Sequence, residues 1–298
     1  MQTLLITGTG GFVASRMARD LDGRYRVVPA AHRDLDLTDA DACRRFILAA
    51  RPDAVLHFGA ISRIDVCEKD PALAHRVNVL GTQHVARACA EAGAAMVLAS
   101  SDQVYTGLDG AQPHREDEAL APTNVYARTK LEAERIAASL CERFYALRLT
   151  WMFDLPVRFC ASSLGVVGMC AGALVTGRPV RAAANDHRGM TYVREVIENI
   201  PALLAAPCGV YNFGSENFLS TYEVCLRVFE RMGAAHRAAE LLEPFQQETP
   251  RNLMIDAAKQ RAAGILFSNT SDALERIAFE ISNSTLLTVV PRAAAISL

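Results

Sequence analysis

A tyrosine and a lysine stand four residues apart in Tyr126-Ala-Arg-Thr-Lys130, at the start of a segment with helical character. On a helix that spacing puts both side chains on one face. A phenol titrates near about 10, too high for acid–base work at neutral pH, but a neighbouring ammonium stabilises the phenolate. Lys130 is therefore expected to bring Tyr126 down toward the working range. The pair alone could equally be the opening of an ordinary amphipathic helix. Support comes from Ser101, at the end of the apolar run in Leu98-Ala-Ser-Ser-Asp-Gln-Val-Tyr105. A hydroxyl at the C-terminal edge of a parallel strand faces the crevice where such sheets bind ligands, and can hold a substrate oxygen.

A second group precedes these: Thr7-Gly8-Thr9-Gly10-Gly11-Phe12-Val13-Ala14, directly after the run Thr3-Leu-Leu-Ile-Thr. Glycines between a strand and a helix let the chain turn tightly and let a pyrophosphate approach backbone N–H groups at the helix N-terminus. A tight strand-to-helix turn would look similar, so position carries the argument: the cluster opens a strand–helix alternation, which points to dinucleotide binding. The end of the second strand reads Pro29-Ala-Ala-His32-Arg33, without the acidic residue that would bond the ribose 2′-hydroxyl of NAD. Positive charge there suits a 2′-phosphate, which favours NADP and keeps NAD open. Asp36 and Leu37 are expected near the adenine.

The elements that must position these residues alternate. Strands are expected at 3–7, 26–30, 54–58, 95–100 and 145–149, with helices at 11–21, 39–50, 71–92 as one helix, and 124–141. This pattern specifies a doubly wound parallel α/β sheet of Rossmann type. Beyond Trp151 the alternation loosens into helix 159–175, a short strand near Val180, helix 193–206, strand 210–213 and helix 220–233. The dinucleotide-binding domain is expected over 1–155, with 185–215 returning to it. A smaller C-terminal substrate lobe would then comprise 156–184 and 216–280, leaving 281–298 as an apolar tail without an assigned role.

The 298 residues are 51% apolar and 21% charged with a net charge of -2. That composition excludes a disordered or fibrous chain and offers no basic stripe for nucleic acid. Eight cysteines without a CxxC pair read as reduced, mostly buried thiols of a cytoplasmic protein. Cys67 has no basic sequence neighbour to make it reactive. The start lacks a basic n-region and a long apolar h-region, so it does not read as a signal peptide. Phe159 to Gly177 is uncharged but rich in Gly and Ser, and reads as a buried helix, not a membrane span. No repeat of fixed period appears, and the seven histidines show no metal-ligand spacing.

With Gly8, Gly11, Ser101, Tyr126 and Lys130 in this order, the sequence resembles the extended short-chain dehydrogenase/reductase family. The resemblance covers roughly residues 2 to 276 and runs to the dTDP-4-dehydrorhamnose reductase branch. It is carried by Arg51-Pro-Asp-Ala-Val-Leu-His, Ala60-Ile-Ser-Arg-Ile-Asp65, Val77-Asn78-Val-Leu-Gly81-Thr82, Ser100-Ser-Asp102-Gln-Val-Tyr-Thr-Gly107, Leu147-Arg148-Leu-Thr-Trp151, Asp186-His-Arg-Gly189-Met-Thr191, Gly209-Val-Tyr-Asn212 with Ser220-Thr-Tyr222-Glu223, and Pro250-Arg251-Asn252.

The resemblance implies a catalytic set of Ser101, Tyr126 and Lys130. It implies cofactor contacts from Gly8, Gly10, Gly11, Phe12, Val13, His32, Arg33, Asp36, Leu37, Gly59 and Ala60, together with Tyr126 and Lys130. Ser62, Asp65, Gln103, Trp151 and Arg251 would face a nucleotide sugar, with Trp151 as an aromatic wall, unless it is simply core. The implied activity is NADPH-dependent reduction of a 4-keto nucleotide-diphosphate sugar, with no metal and no membrane; a homodimer is left open. Where the branch usually carries Tyr, Asp and Pro, this chain has Gln103, Thr106 and Met190. A more polar pocket at Gln103 puts the sugar itself in question. Three competitors stand beside the reductase. One is an epimerase that retains NAD. Another is a 4,6-dehydratase, disfavoured because Gln103 replaces a titrating Glu. The third is a non-enzymatic NADP-binding regulatory subunit, the role of the related methionine adenosyltransferase beta subunit.

Overall fold

In the computed structural model of the chain, residues 1–163 and 165–283 are described. The first half runs β1 (Thr3–Thr7), α1 (Phe12–Asp20), β2 (Arg26–Ala30), α2 (Ala40–Ala50), β3 (Ala54–His57), α3 (Ile64–Lys69), α4 (Pro71–His75), α5 (Gly81–Ala92), β4 (Ala95–Ser101), α6 (Val125–Leu140) and β5 (Phe144–Leu149). The second half runs β6 (Trp151–Phe153), α7 (Gly165–Thr176), β7 (Val180–Ala183), β8 (Asp186–Arg188), β9 (Met190–Tyr192), α8 (Val193–Glu198), α9 (Ile200–Ala205), β10 (Gly209–Phe213), α10 (Thr221–Arg231), α11 (Ala238–Leu241), β11 (Leu242–Phe245), β12 (Arg251–Leu253), α12 (Ala258–Ala262) and α13 (Thr270–Asn283).

Six strands form one parallel sheet in the order β2-β1-β3-β4-β5-β10. Alternate side chains of β1 explain why it is covered on both faces. Leu4 and Ile6 join a core with Val13 and Met17 of α1 and Val193, Val196 and Ile200 of α8 and α9. Leu5 joins the opposite core, with Ile47 of α2, Val85 and Cys89 of α5 and Ala133 of α6. After β1 the chain moves outward to β2 and then returns to β3 on the other side of β1. The crevice above β1 and β3 is thus the topological switch point, where such sheets bind ligands.

Local chemistry sets the boundaries. Asp39 caps α2 by accepting from Ala42 N at 2.9 Å, and Asn124 caps α6 by accepting from Ala127 N at 2.8 Å; each such cap is worth about 1 kcal/mol. The single helix expected over 71–92 contains a π-helical turn at Arg76–Leu80. Helix 193–206 breaks at Asn199, because Pro201 enters the first turn of α9. Helix 159–175 begins only at Gly165, after an irregular strap of residues 154–163. Arg16, 1% exposed, holds that strap to α1. It donates to Asp154 Oδ2 (2.6 Å), Ala161 O (2.7 Å) and Leu155 O (3.2 Å).

Around Phe153, Val166, Tyr192, Val224, Phe229 and Leu274 a separate apolar cluster gathers α7, α10 and α13. Three two-stranded parallel pairs, β6 with β9, β7 with β11 and β8 with β12, stitch this part together and were not foreseen from the sequence. The apolar tail lies outside the described residues from 284 onward. Among the described residues no helix is long and apolar enough to cross a membrane, and no group of three His, Cys, Asp or Glu side chains is placed to hold a metal ion. All eight cysteines are free thiols, six of them buried.

Candidate active site

A cleft of about 1040 Å³ opens along the switch point. At one end is the glycine turn. Gly8 has φ +74°, and a Cβ there would lie 2.7 Å from Gly59 N, so the loop after β3 comes this close to the turn only because residue 8 has no side chain. Gly11 N donates to Gly8 O at 2.8 Å and caps α1 without any side-chain bond, which leaves the first-turn N–H groups free for an anion. Nothing lies within 4 Å of where a Gly10 Cβ would be. Ala14, 1% exposed, takes the close helix–sheet contact. These features fit a dinucleotide pyrophosphate.

Lining the cleft are Gly8, Gly10, Gly11, Phe12, Val13, His32, Asp36, Leu37, Gly59, Ala60, Ser62, Ser101, Gln103, Tyr126, Lys130 and Trp151. Three residues of the expected set do not line it. Arg33 follows β2 with its side chain 87% exposed, 3.6 Å from Asp34, because Asp34 folds back to accept from Ala31 N and turns the chain outward. Arg251 is taken up by Asp186, donating through Nε (2.7 Å) and NH2 (2.9 Å), and so joins β12 to β8. Asp65 also points away, paired with Arg63 at the surface.

The reacting wall is built from β4 and α6. Lys130 Nζ donates to Ala99 O at 2.8 Å, and one turn later Glu134 accepts from the hydroxyl of Ser100 and from Arg148. These bonds fix the register of helix against strand and so set Ser101 beside Tyr126. The Ser101 hydroxyl meets Asp102 Oδ1 and Gln103 N, each at 3.2 Å. Lys130 Nζ is 5.8 Å from the centre of the Tyr126 ring.

The charge states differ from the expectation that Lys130 draws Tyr126 down. Burial pushes the Tyr126 phenol above its ordinary value; the neighbouring Ser101 hydroxyl opposes this, while Asp102 and Cys67 add to it. Burial also lowers Lys130 to about 8, against the opposing pull of Glu134 and Cys67. Among the charges around the phenol it is Arg188 that opposes the burial, and the desolvation penalty on the phenolate dominates. Tyr126 is thus a protonated phenol at neutral pH. His57, held between the hydroxyls of Thr7 (2.8 Å) and Thr82 (3.2 Å), is lowered to about 3 by burial and by Lys130, so it stays neutral.

Two residues without an assigned role complete the site. Asn78, in the π-helical turn, accepts from Ile61 N (2.8 Å) and donates to Ile61 O (3.0 Å) and Thr129 Oγ1 (3.1 Å). It ties the loop after β3 to α6, next to Ile61 of the cleft lining, and π-turns are often met at functional sites. Arg188 reaches the cleft from β8, donates to both oxygens of the fully buried Asp102 (2.7 and 3.0 Å), and stands 5.4 Å above the Trp151 ring. Burial raises the Asp102 carboxyl despite that opposing pull. Both residues lie in segments that carry the family resemblance, which was the only signal pointing to them.

The chain is similar to known proteins. The dTDP-4-dehydrorhamnose reductase of Streptomyces griseus is 28% identical over 273 residues, 88% of each chain. That of Mycolicibacterium smegmatis is 33% identical over 153 residues, 51% of this chain; the match spans 46% of that relative, about half its length. The solved dTDP-4-dehydrorhamnose reductase of Bacillus anthracis str. Ames, in complex with NADP, superposes with a TM-score of 0.85 at 22% identity, over 95% of this chain and 100% of that one, and so shares the fold. Residues 1–267 match the model of the RmlD substrate binding domain, and the chain belongs to that family.

Proposed function

We propose that the chain is an NADPH-dependent reductase of a 4-keto nucleoside-diphosphate sugar, of the dTDP-4-dehydrorhamnose reductase type. The observation that carries this reading is the convergence of Ser101, a protonated Tyr126 and Lys130 on one wall of the glycine-floored cleft. A reduced nicotinamide, when bound, supplies a hydride. The first turn of α1 would hold its pyrophosphate, His32 would face the 2′-phosphate, and Lys130 would hold the nicotinamide ribose. The chain's own groups manage the oxygen: Ser101 Oγ donates a hydrogen bond to the substrate carbonyl, and the Tyr126 phenol delivers its proton there as the alkoxide forms. Reduction needs an acid that is protonated before the reaction, and the Tyr126 phenol, held above its ordinary value by burial, meets that need. Trp151 offers the sugar an aromatic wall. The reaction belongs to the cytoplasm, in keeping with eight free thiols.

NADPH oxidation over a panel of 4-keto nucleotide sugars tests the reading. Turnover that vanishes in Tyr126→Phe supports it. Tightly retained NAD without NADPH consumption would indicate an epimerase, and cofactor binding with silence across the panel would indicate a regulatory role. The panel includes dTDP-4-dehydrorhamnose, which the polar Gln103 leads us to expect as a poor substrate next to a related 4-keto sugar; full activity on it would overturn that point alone.

A further inference from the structure

The proton donor sits on the weakest part of its helix. Tyr126 is the second residue of α6, in the first turn, where N–H groups have no partner within the helix and helices fray. Lys130, one turn further in, is anchored to Ala99 O, but that bond does not hold the turn before it. Two side chains do. Asn124 accepts from Ala127 N at 2.8 Å, and Glu68 accepts from Val125 N at 2.7 Å.

Glu68 belongs to a different element, α3, 57 positions before Val125 in the chain. Its neighbour Cys67, 1% exposed, packs with Ala74 against Val125 and Tyr126, and the Cys67 thiol donates to Ile61 O at 3.6 Å. The start of α6 therefore meets α3 through an apolar contact, which resists separation, and through one directional bond, which fixes where the first turn lies. A carboxylate suits that place, since charge-assisted hydrogen bonds are stronger than neutral ones and a helix N-terminus favours negative charge. Glu68 is outside the cleft lining, while Tyr126 is part of it. Its bond thus reaches the reaction only through the placement of the ring.

We propose that Glu68 is a positioning residue: its carboxylate pins the first turn of α6 and so aims the Tyr126 hydroxyl at the substrate carbonyl. Asn124 caps the same turn from its own segment and moves with it, whereas Glu68 ties the turn to the rest of the fold. Displacing a reacting group by about 1 Å can cost about 10²-fold in rate. The proposal rests on the reductase reading above.

The test measures kcat, KM for the ketone and Kd for NADPH in wild type, Glu68→Gln, Glu68→Ala, Tyr126→Phe and the double variant that joins Glu68→Ala to Tyr126→Phe. Glu68→Ala is expected to lower kcat by about ten- to hundred-fold while KM and Kd stay within about threefold, because Glu68 lies outside the cleft lining. Glu68→Gln keeps an oxygen that accepts from Val125 N, and should recover kcat to within about fivefold of wild type. Added to Tyr126→Phe, Glu68→Ala should alter the residual turnover by less than about twofold, since no phenol is left to misplace. A general loosening of the fold would move KM and Kd along with kcat and add its loss to that of Tyr126→Phe. That pattern, an unchanged kcat in Glu68→Ala, or a Glu68→Gln no better than Glu68→Ala overturns the proposal. Fluorine NMR of protein labelled with fluorotyrosine, its Tyr126 line assigned by absence in Tyr126→Phe, separates this claim from the reductase reading. If no ketone is reduced, yet the Tyr126 line shifts or broadens in Glu68→Ala and returns in Glu68→Gln, the reductase reading falls and the positioning stands. A Tyr126 line unchanged in Glu68→Ala overturns the positioning whatever the turnover.

Discussion

Replacing Lys130 by methionine separates what the lysine does for the reaction from what it costs the fold. The ammonium is 5% exposed and is held at about 8 instead of 10.5, chiefly by burial. At about 1.4 kcal/mol for each tenfold change in proton affinity, keeping it charged costs the folded protein about 3 kcal/mol at neutral pH. The sign follows from proton counting. Between about 8 and 10.5 the unfolded chain binds the extra proton, so wild-type stability from this group rises as pH rises through that window, and the penalty is complete below it. Lys130→Met has no such slope. It also leaves Ala99 O without its 2.8 Å donor, a pH-independent loss of about 1–3 kcal/mol. At pH 7 the two effects nearly offset, and the variant should be about as stable as wild type or slightly more so. At pH 10 most of the burial penalty has gone, and the variant should be the less stable by up to about 2 kcal/mol. Urea denaturation of both proteins at several pH values between 7 and 10 measures the difference, in which groups common to both cancel. Parallel stability curves across that range would refute the assignment of a burial-lowered ammonium. Activity should be lost at every pH, since the ribose contact and the positioning of Tyr126 go with it.

Tyr126→Phe should lower turnover by about 10²–10⁴-fold while the cofactor Kd stays within about threefold, because only the proton donor is lost and the ring still packs; retention of half the wild-type turnover would remove Tyr126 from the reaction. Ala31→Asp, at a cleft position just past β2, should set a carboxylate against the 2′-phosphate and weaken NADP relative to NAD by about tenfold or more, read by titrating both cofactors. Arg33→Ala should change that preference little, since its side chain projects into solvent; a large change would show that Arg33 swings inward on binding. Arg16→Met should destabilise the fold by about 3–5 kcal/mol in urea denaturation, because it leaves Asp154 buried without its partner.

Periodic patterns and short glycine spacings carried the dinucleotide-binding half. Apolar runs of four to seven residues between helices are a local signal, and the central parallel strands β1, β3, β4 and β5 stand where those runs predict them. Gly8 and Gly11 announce the turn for a similar reason, since a positive φ or close backbone contact leaves few residue types to choose from. The pairs β6 with β9, β7 with β11 and β8 with β12 were not legible in this way, apart from the short strand expected near Val180 that became β7. Their strands are three or four residues long, too short for an alternation to be recognised, and their partners are about 40 to 65 positions away.

For the site, residue types and spacing sufficed to nominate Ser101, Tyr126 and Lys130, because helix geometry relates Tyr126 to Lys130 and a strand end exposes Ser101. They could not supply the protonation states. Those depend on how much protein surrounds each group, and burial raises Tyr126 where the sequence led to an expectation that it would be lowered. Nor could they tell which arginine lines the cleft. Arg33, Arg188 and Arg251 are alike as letters, but Asp34 and Asp186 engage the first and last, while the register of β8 carries Arg188 to the buried Asp102. The sequence by itself determined the sheet, the glycine turn and the chemical types of the reacting groups, all of which follow from local geometry. Only the tertiary structure decided which charges face the cleft and in what state, since pairing and desolvation arise between residues far apart in the chain.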